Sequence, residues 1–303
     1  MEAIVYETFG GPEVLRHSRV GKPEPGPGQV RVKVMAAGVN PVDYKIRYGW
    51  MDAFYPTTLP AVPGLEFAGV VDAVGEGVTH TGAGAEVLGW TTTGAYAEYA
   101  LAGDIAAKPA GLSWERAASL PVAGETAQRV LDLLRVKSGE TLLVHGAAGV
   151  VGSVAVQLAV AAGVTVVGTA SEANHGHLRA LGATPVRYGD GLAERVRQAA
   201  PQGVDAVLDA AGQGVLPLSI ELLGGAERVV TIADPNAADH GVVFSAGGTE
   251  PRAVRTGLAE HARLAAEGLL DVRIAEVFPL ADAAKAHELS EAGHARGKLI
   301  IRP

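Results

Sequence analysis

Three features of the sequence predict an α/β protein in which a doubly wound parallel sheet is joined to a strand-rich part. The first is the run Gly146-Ala147-Ala148-Gly149-Val150-Val151-Gly152, set between an apolar strand-like stretch (141–145) and a long helix-like one. The second is the alternation of apolar strands with helical stretches after residue 111, the pattern of a parallel sheet covered on both faces. The third is the texture of residues 1–107, where short β-type runs are broken by glycine and proline turns.

In the first stretch the strand candidates are residues 3–6, 30–37, 67–74 and 85–89. The Gly- and Pro-rich segment 21–28 reads as a rigid turn between strands, because too little chain precedes it to form a domain. Further on, strands are expected at 141–145, 164–169, 185–188, 204–209 and 228–233. Residues 150–162 are apolar almost all round, as in a helix pressed against a sheet, and 164–167 is a β-branched run suited to a buried parallel strand. Residues 235–241 and the pair Gly247-Gly248 read as loops. Beyond residue 256 a helix, a strand at 273–278, a helix from 281 and a closing strand at 298–301 follow, with no internal repeat. At 303 residues the chain exceeds a comfortable single core. Two domains are expected.

The glycine run carries the chemistry. In a strand–turn–helix unit one glycine makes the tight turn, one admits a pyrophosphate to the backbone and one lets helix and strand pack closely. The anion then meets unpaired N–H groups and the positive end of the helix dipole, without need of a lysine. The run 146–152 is therefore expected to be a dinucleotide site.

Composition narrows the rest. Hydrophobic residues make up 48% and charged residues 19%, a folded composition. The net charge of −8 disfavours nucleic acid and anionic membranes as partners. The lack of cysteine excludes disulfides, thiolate zinc sites, iron–sulfur clusters and cysteine nucleophiles. With no signal-peptide pattern at the start, the expected location is the cytoplasm. All nine histidines are expected as surface or packing residues. His175 and His177 fall on different sides of a helix, and His145 reads as a strand-end histidine with its hydrogen bonding satisfied.

Several separated motifs carry a resemblance: YETFGGPEVL (6–15), AGVNPVDYK (37–45), PGLEFAG (63–69), GAYAEY (94–99), the glycine run preceded by His145, DAAG (209–212) and ARGKL (295–299). In this order they resemble the zinc-independent quinone oxidoreductases of the medium-chain dehydrogenase/reductase superfamily. The resemblance implies a GroES-like, β-rich catalytic domain made from both chain ends, 1–115 with 258–303, and a Rossmann domain, 116–257, inserted between them. It also implies hydride transfer to a quinone or to an alkene conjugated to a carbonyl. Zinc-dependent alcohol dehydrogenases of that superfamily place a cysteine where this chain has Asn40 and a histidine where it has Leu65, so no metal is expected.

NADPH is the expected cofactor. NAD-preferring Rossmann domains place a carboxylate at the tip of the second strand, a slot that falls at Ala170, followed by the small polar Ser171. Similar NADPH-dependent reductases end the third strand with a tyrosine that reaches the 2′-phosphate, and Tyr188 matches it. Two departures accompany this match. Glu172 opposes a phosphate, and Ala173 stands where relatives carry arginine or lysine, so the basic contact comes from elsewhere or is absent.

The resemblance supplies further site residues. Gly146, Ala147, Gly149, Val150, Val151 and Gly152 hold the pyrophosphate, and Thr126, Gly212, Ile232 and Phe244 lie towards the nicotinamide half. Lys298 returns to the cofactor. Asn40 is the first catalytic candidate, donating to the substrate carbonyl or the cofactor carboxamide; its alternative is a bond within its own turn before Pro41. Asp43 is a second, paired with Lys45 or acting as a proton relay. Tyr44, Tyr48 and Tyr55 are candidate proton donors, with Tyr55 carried forward. Trp50, Met51 and Phe54 read as an apolar substrate wall or as core.

Glu125 and Gln128 replace a more usual leucine and tyrosine, leaving open an enoyl reductase of a biosynthetic pathway. A non-catalytic NADPH-binding redox sensor is the reading from a different class. A homodimer is expected through an edge strand of the nucleotide domain, at 226–233 or 242–244.

Overall fold

The computed structural model describes residues 1–247, 257–293 and 295–303. Gly248, expected in a loop, and His294, one of the nine histidines, lie outside the described residues. The chain forms two compact units, Met1–Glu125 with Gly248–Pro303, and Thr126–Gly247.

The first unit begins with β1 (Glu2–Val5) and β2 (Arg16–Arg19), an antiparallel pair. The other strands of its N-terminal segment are β3 (Val30–Val39), β4 (Glu66–Val74), β5 (Glu86–Thr91) and β6 (Tyr99–Ala107). Helix α1 (Pro41–Arg47) follows β3, and α2 (Trp114–Ala118) and α3 (Pro121–Leu134) follow β6, with α3 running on into the second unit.

The second unit alternates β7 (Thr141–His145), α4 (Val150–Ala161), β8 (Thr165–Ala170), α5 (His175–Ala180), β9 (Thr184–Arg187), α6 (Leu192–Ala199), β10 (Ala206–Asp209), α7 (Leu216–Leu223), β11 (Val229–Thr231) and β12 (Val243–Phe244). The chain then returns to the first unit with α8 (Leu258–Ala266), β13 (Ile274–Pro279), α9 (Ala283–Glu291) and β14 (Lys298–Arg302).

In the first unit the sheet runs β13-β14-β3-β4-β5-β6, and β3 also pairs with β6. Residues 30–33 of β3 face β6, while residues 37–39 face β14. One long strand thus closes the sheet on itself and ties in the C-terminus. Its sequence fits both jobs: burial alternates in its first half and becomes continuous in its second, as expected where both faces are covered. Ile4, Tyr6, Val32, Phe67, Tyr96, Leu299 and Ile301 fill this core.

In the second unit the sheet is wholly parallel, in the order β12-β11-β10-β7-β8-β9. The strand order reverses beside β7, and in such sheets ligands bind outside the carboxyl ends at that switch point. The core is Leu143, Val167, Val207, Val229 and Leu216.

Some expected elements change. β2, of sequence RHSR and largely exposed, lacks an apolar alternation and exists through its pairing with β1. β6 is alanine-rich, with weak strand propensity of its own, and is held between β5 and β3. The segment 235–241 contains a 3₁₀ turn, Ala237–His240. The run 226–233 is not an edge: β11 lies between β10 and β12, and β12 is the edge. Among the described residues no helix is long and apolar enough to cross a membrane.

Candidate active site and nucleotide cradle

Helix α1 starts at a proline, and Asn40 is its N-cap in extended conformation. Proline is suited to the first helical position because its missing N–H would be unpaired there. The Asp43 carboxylate reaches back to accept from the Asn40 backbone N–H at 2.9 Å, half of a capping box. The Asn40 side chain also bonds residues of two strands, β4 and β14.

There it meets a buried ion pair. Its Nδ2 donates to Glu66 Oε1 at 2.8 Å and its Oδ1 accepts from Lys298 Nζ at 2.6 Å, while Lys298 also bonds Glu66 directly. Glu66 is fully buried and Lys298 and Asn40 nearly so. Glu66 Oε2 accepts the Val122 N–H at 2.7 Å in the first turn of α3, where an anion is favoured. A side chain at Gly38 would collide with the Glu66 carboxylate, so the glycine makes room for it. Because an ammonium only donates and a carboxylate here only accepts, the Asn40 amide has a single allowed orientation. One amide N–H remains to be donated elsewhere.

Asp43 does not pair with Lys45. Its Oδ2 accepts from Tyr96 Oη at 3.0 Å. Tyr96 Oη lies 3.4 Å from His287 Nε2, and His287 Nδ1 lies 2.7 Å from Arg47, which also pairs with Glu291. A guanidinium can only donate, so His287 Nδ1 accepts and Nε2 carries the proton. Donors therefore run from Arg47 through His287 and Tyr96 to Asp43. Burial, then the Arg47 charge, pushes His287 down to about 3, which keeps it neutral. Burial raises Asp43 to about 7, against the opposing pull of the Asn40 N–H, Lys298 and Tyr96. Its Oδ1 is buried without a partner. Asp43 thus acts on Asn40 from within the core.

Tyr55 follows the other end of α1, in a turn where its N–H bonds Met51 O at 2.8 Å. Tyr48 Oη donates to Glu291 at 3.4 Å and its ring stacks on Trp50 with centroids 4.5 Å apart. Trp50 is largely exposed, so it is not core.

The second unit builds the cradle. Gly146 ends β7 in the left-handed region (φ 70°), and its turn is pinned to β8: Ala147 N–H donates to Thr169 O at 3.1 Å and Gly146 N–H to Thr169 Oγ1 at 3.2 Å. Gly149 is the N-cap of α4, so Val150, Val151 and Gly152 present the unpaired N–H groups of its first turn. A Cβ at Gly152 would strike Gly146 O and come within 2.8 Å of Ala147 Cα. The loop is drawn this tightly because nothing but hydrogen occupies that space.

The neighbouring strand ends are fixed by one buried carboxylate. Asp209 Oδ1 accepts from Ala211 and Gly212 N–H at 2.9 and 3.0 Å, and its Oδ2 accepts from Thr231 Oγ1 at 2.8 Å. Gly212 and Ile232 follow the carboxyl ends of β10 and β11, and Phe244 ends β12. Thr126 is buried on α3. His145 is only half satisfied. Ser219 Oγ donates to Val215 O, so it accepts from His145 Nε2 at 3.1 Å, and the buried Nδ1 has no partner; burial lowers this histidine to about 4.

At the tip of β8, Ser171 Oγ accepts from Asn174 Nδ2 at 3.2 Å. Tyr188 is about half exposed just beyond β9. Lys298, expected at the cofactor, has its ammonium engaged by Asn40 and Glu66 in the first unit.

Residues 26–111 match the family described as the alcohol dehydrogenase GroES-like domain, and residues 181–301 match the zinc-binding dehydrogenase family. The pig (Sus scrofa) quinone oxidoreductase is 35% identical over 99% of this chain and 97% of its own length. The chain belongs to the quinone oxidoreductase family of the medium-chain dehydrogenases/reductases. The Escherichia coli quinone oxidoreductase, solved in complex with NADPH, superposes on this family member over 100% of both chains with a TM-score of 0.88 and 28% identity. A second kind of relative is the pikromycin polyketide synthase component PikAII of Streptomyces venezuelae, 41% identical over 82% of this chain but only 7% of that protein.

Among the described residues, the zinc in one matching family's description finds no fitting ligand set. Among the described residues no three His, Asp or Glu side chains could share an ion, Leu65 offers no donor, and the Lys298 ammonium already neutralises Glu66.

The residues missed in the sequence are Glu66, Tyr96, Arg47 and His287. An acid inside the apolar run of β4 was a usable signal for Glu66. The others become neighbours only through contacts of high sequence separation.

Proposed function

We propose that this chain is a cytoplasmic reductase that works without a metal, taking hydride from NADPH and giving it to a quinone or to the C=C bond of an α,β-unsaturated carbonyl compound. The supporting observation is the Asn40 amide, locked by Lys298 and Glu66 at the position where zinc-dependent relatives carry a cysteine. NADPH, when bound, supplies the hydride.

The chain's own residues do the rest. Gly146, Ala147, Gly149, Val150, Val151 and Gly152 hold the pyrophosphate, and Ser171 and Tyr188 the adenosine end. Thr126, Gly212, Ile232 and Phe244 bound the nicotinamide half. The remaining Asn40 N–H donates to the oxygen on which negative charge develops, an electrostatic role that needs the donor aimed in advance. Asp43 positions Asn40 through its backbone N–H, and Tyr55 remains the candidate proton donor. We assign the catalytic role to 1–115 with 258–303 and the nucleotide role to 116–257.

The likeness to part of a polyketide synthase supports a second substrate class, an enoyl thioester. A panel of quinones, alkenals and enoyl thioesters, each with NADPH and NADH and with a chelator present, tests the reading. NADPH oxidation by one class, unaffected by chelator, is expected. NADPH binding without turnover on any acceptor would favour the redox sensor.

A further inference from the structure

The sequence offers no basic residue where relatives carry one, at Ala173, yet the fold sets one beside the end of β8 from another strand. In the parallel pairing of β8 with β9, Arg187 stands beside Ala170. Ala170 ends β8, at the tip where NAD-preferring domains hold the ribose with a carboxylate and where an arginine accommodates a 2′-phosphate. Resting on the NADPH reading above, we propose that Arg187 is the residue that selects NADPH over NADH in this chain, with Glu172 as the partner it leaves when the 2′-phosphate arrives.

Arg187 Nη1 lies 3.4 Å from Glu172 Oε1, with 64% and 73% of the two side chains exposed. Such a long, solvated pair is weak, so redirecting the guanidinium costs little. A phosphate oxygen pair matches the guanidinium fork better than one distant carboxylate oxygen does.

The nearby Arg195 is differently engaged. Its guanidinium donates to the carbonyls of Arg187, Asp190 and Gly189 at 2.9, 2.8 and 3.1 Å. It holds the backbone that carries Arg187 and Tyr188. Ser171 completes the group, because accepting from Asn174 leaves its hydroxyl proton for an anion. Glu172 then plays two parts: it parks Arg187 until the nucleotide binds and weakens binding of the phosphate, while remaining able to accept from a 2′-hydroxyl.

Calorimetric binding of NADPH and NADH to the full-length protein tests this. Arg187→Met should weaken NADPH by at least tenfold and leave NADH within about twofold, since the lost charge-assisted bonds exist only with the phosphate. Arg187→Lys should recover part of the loss. Glu172→Gln should tighten NADPH severalfold and leave NADH unchanged or weaker. Arg197→Met, which removes an exposed charge on α6 paired with Glu221, should change neither. An Arg187→Met variant whose NADPH/NADH affinity ratio stays within about twofold of wild type, or which loses both nucleotides equally, overturns the assignment. Wild-type protein that binds NADH but not NADPH overturns it and leaves the dinucleotide site standing, whereas binding of neither sinks the dinucleotide reading itself.

Discussion

Asn40 shows how much one amide depends on its surroundings. Its two polar atoms are told apart by a cation and an anion that were placed by strands far away in sequence, β14 and β4. Lys298→Met should destabilise the protein by about 3–5 kcal/mol, because Glu66 is left buried and unpaired. The double change Glu66→Gln with Lys298→Met should regain most of that stability in thermal melts. Turnover should stay low, since nothing then prevents the Asn40 amide from rotating.

Asp43 adds a pH signature. Its folded-state value of about 7 is raised from the ordinary 3.8, so the folded protein holds a proton that the unfolded chain gives up. Stability from this group is full below about 4 and is lost as pH rises through about 7. Asp43→Asn keeps an acceptor for Asn40 and Tyr96 and removes the titration. Its unfolding free energy should therefore rise relative to that of wild type from about pH 5 to about pH 8, by about 3 kcal/mol, as read by denaturant melts at each pH. A pH-independent difference would contradict the buried carboxyl. His145 and His287 have the opposite sign: their lowered values cost stability as pH falls, and they are common to both proteins in that comparison.

At the scale of the element, the β7–α4 turn is where sequence and structure agree most closely. The apolar strand, the glycine spacing and the apolar helix are all local, so the unit was legible before any contact was known, and the observed strand is residues Thr141–His145 as expected. Gly152→Ala should lower unfolding stability by about 1–3 kcal/mol, the usual cost of overpacking, and weaken NADPH binding at least tenfold by lifting the helix start away from Gly146. Isothermal titration on the variant checks both the affinity and, through the binding stoichiometry, the folded fraction. β2 and β6 are the contrary case. Their side chains carry no alternation strong enough to announce a strand, and their hydrogen bonds depend on β1, β3 and β5.

For the whole molecule, the question of assembly falls on β12. It is the edge of the parallel sheet and has only two residues, with Val243 half exposed. An exposed apolar edge is a template for a second copy. If the protein is a homodimer joined there, Val243→Lys should shift it to a monomer by light scattering while NADPH affinity stays within about twofold. A dimer that persists in the variant would place the interface elsewhere.

The sequence by itself determined the class of fold, the glycine turn between β7 and α4 and the lack of any thiol, because glycine spacing, apolar periodicity and residue inventory are local properties that folding does not alter. Only the tertiary structure decided that Lys298 serves Asn40 and Glu66, that Asp43 faces Tyr96 and not Lys45, and that Arg187 stands beside Ala170, near the charge missing at Ala173. Each of these rests on a pairing between separate strands or helices, and the register of such a pairing is set by packing across the whole unit, which no short stretch of sequence contains.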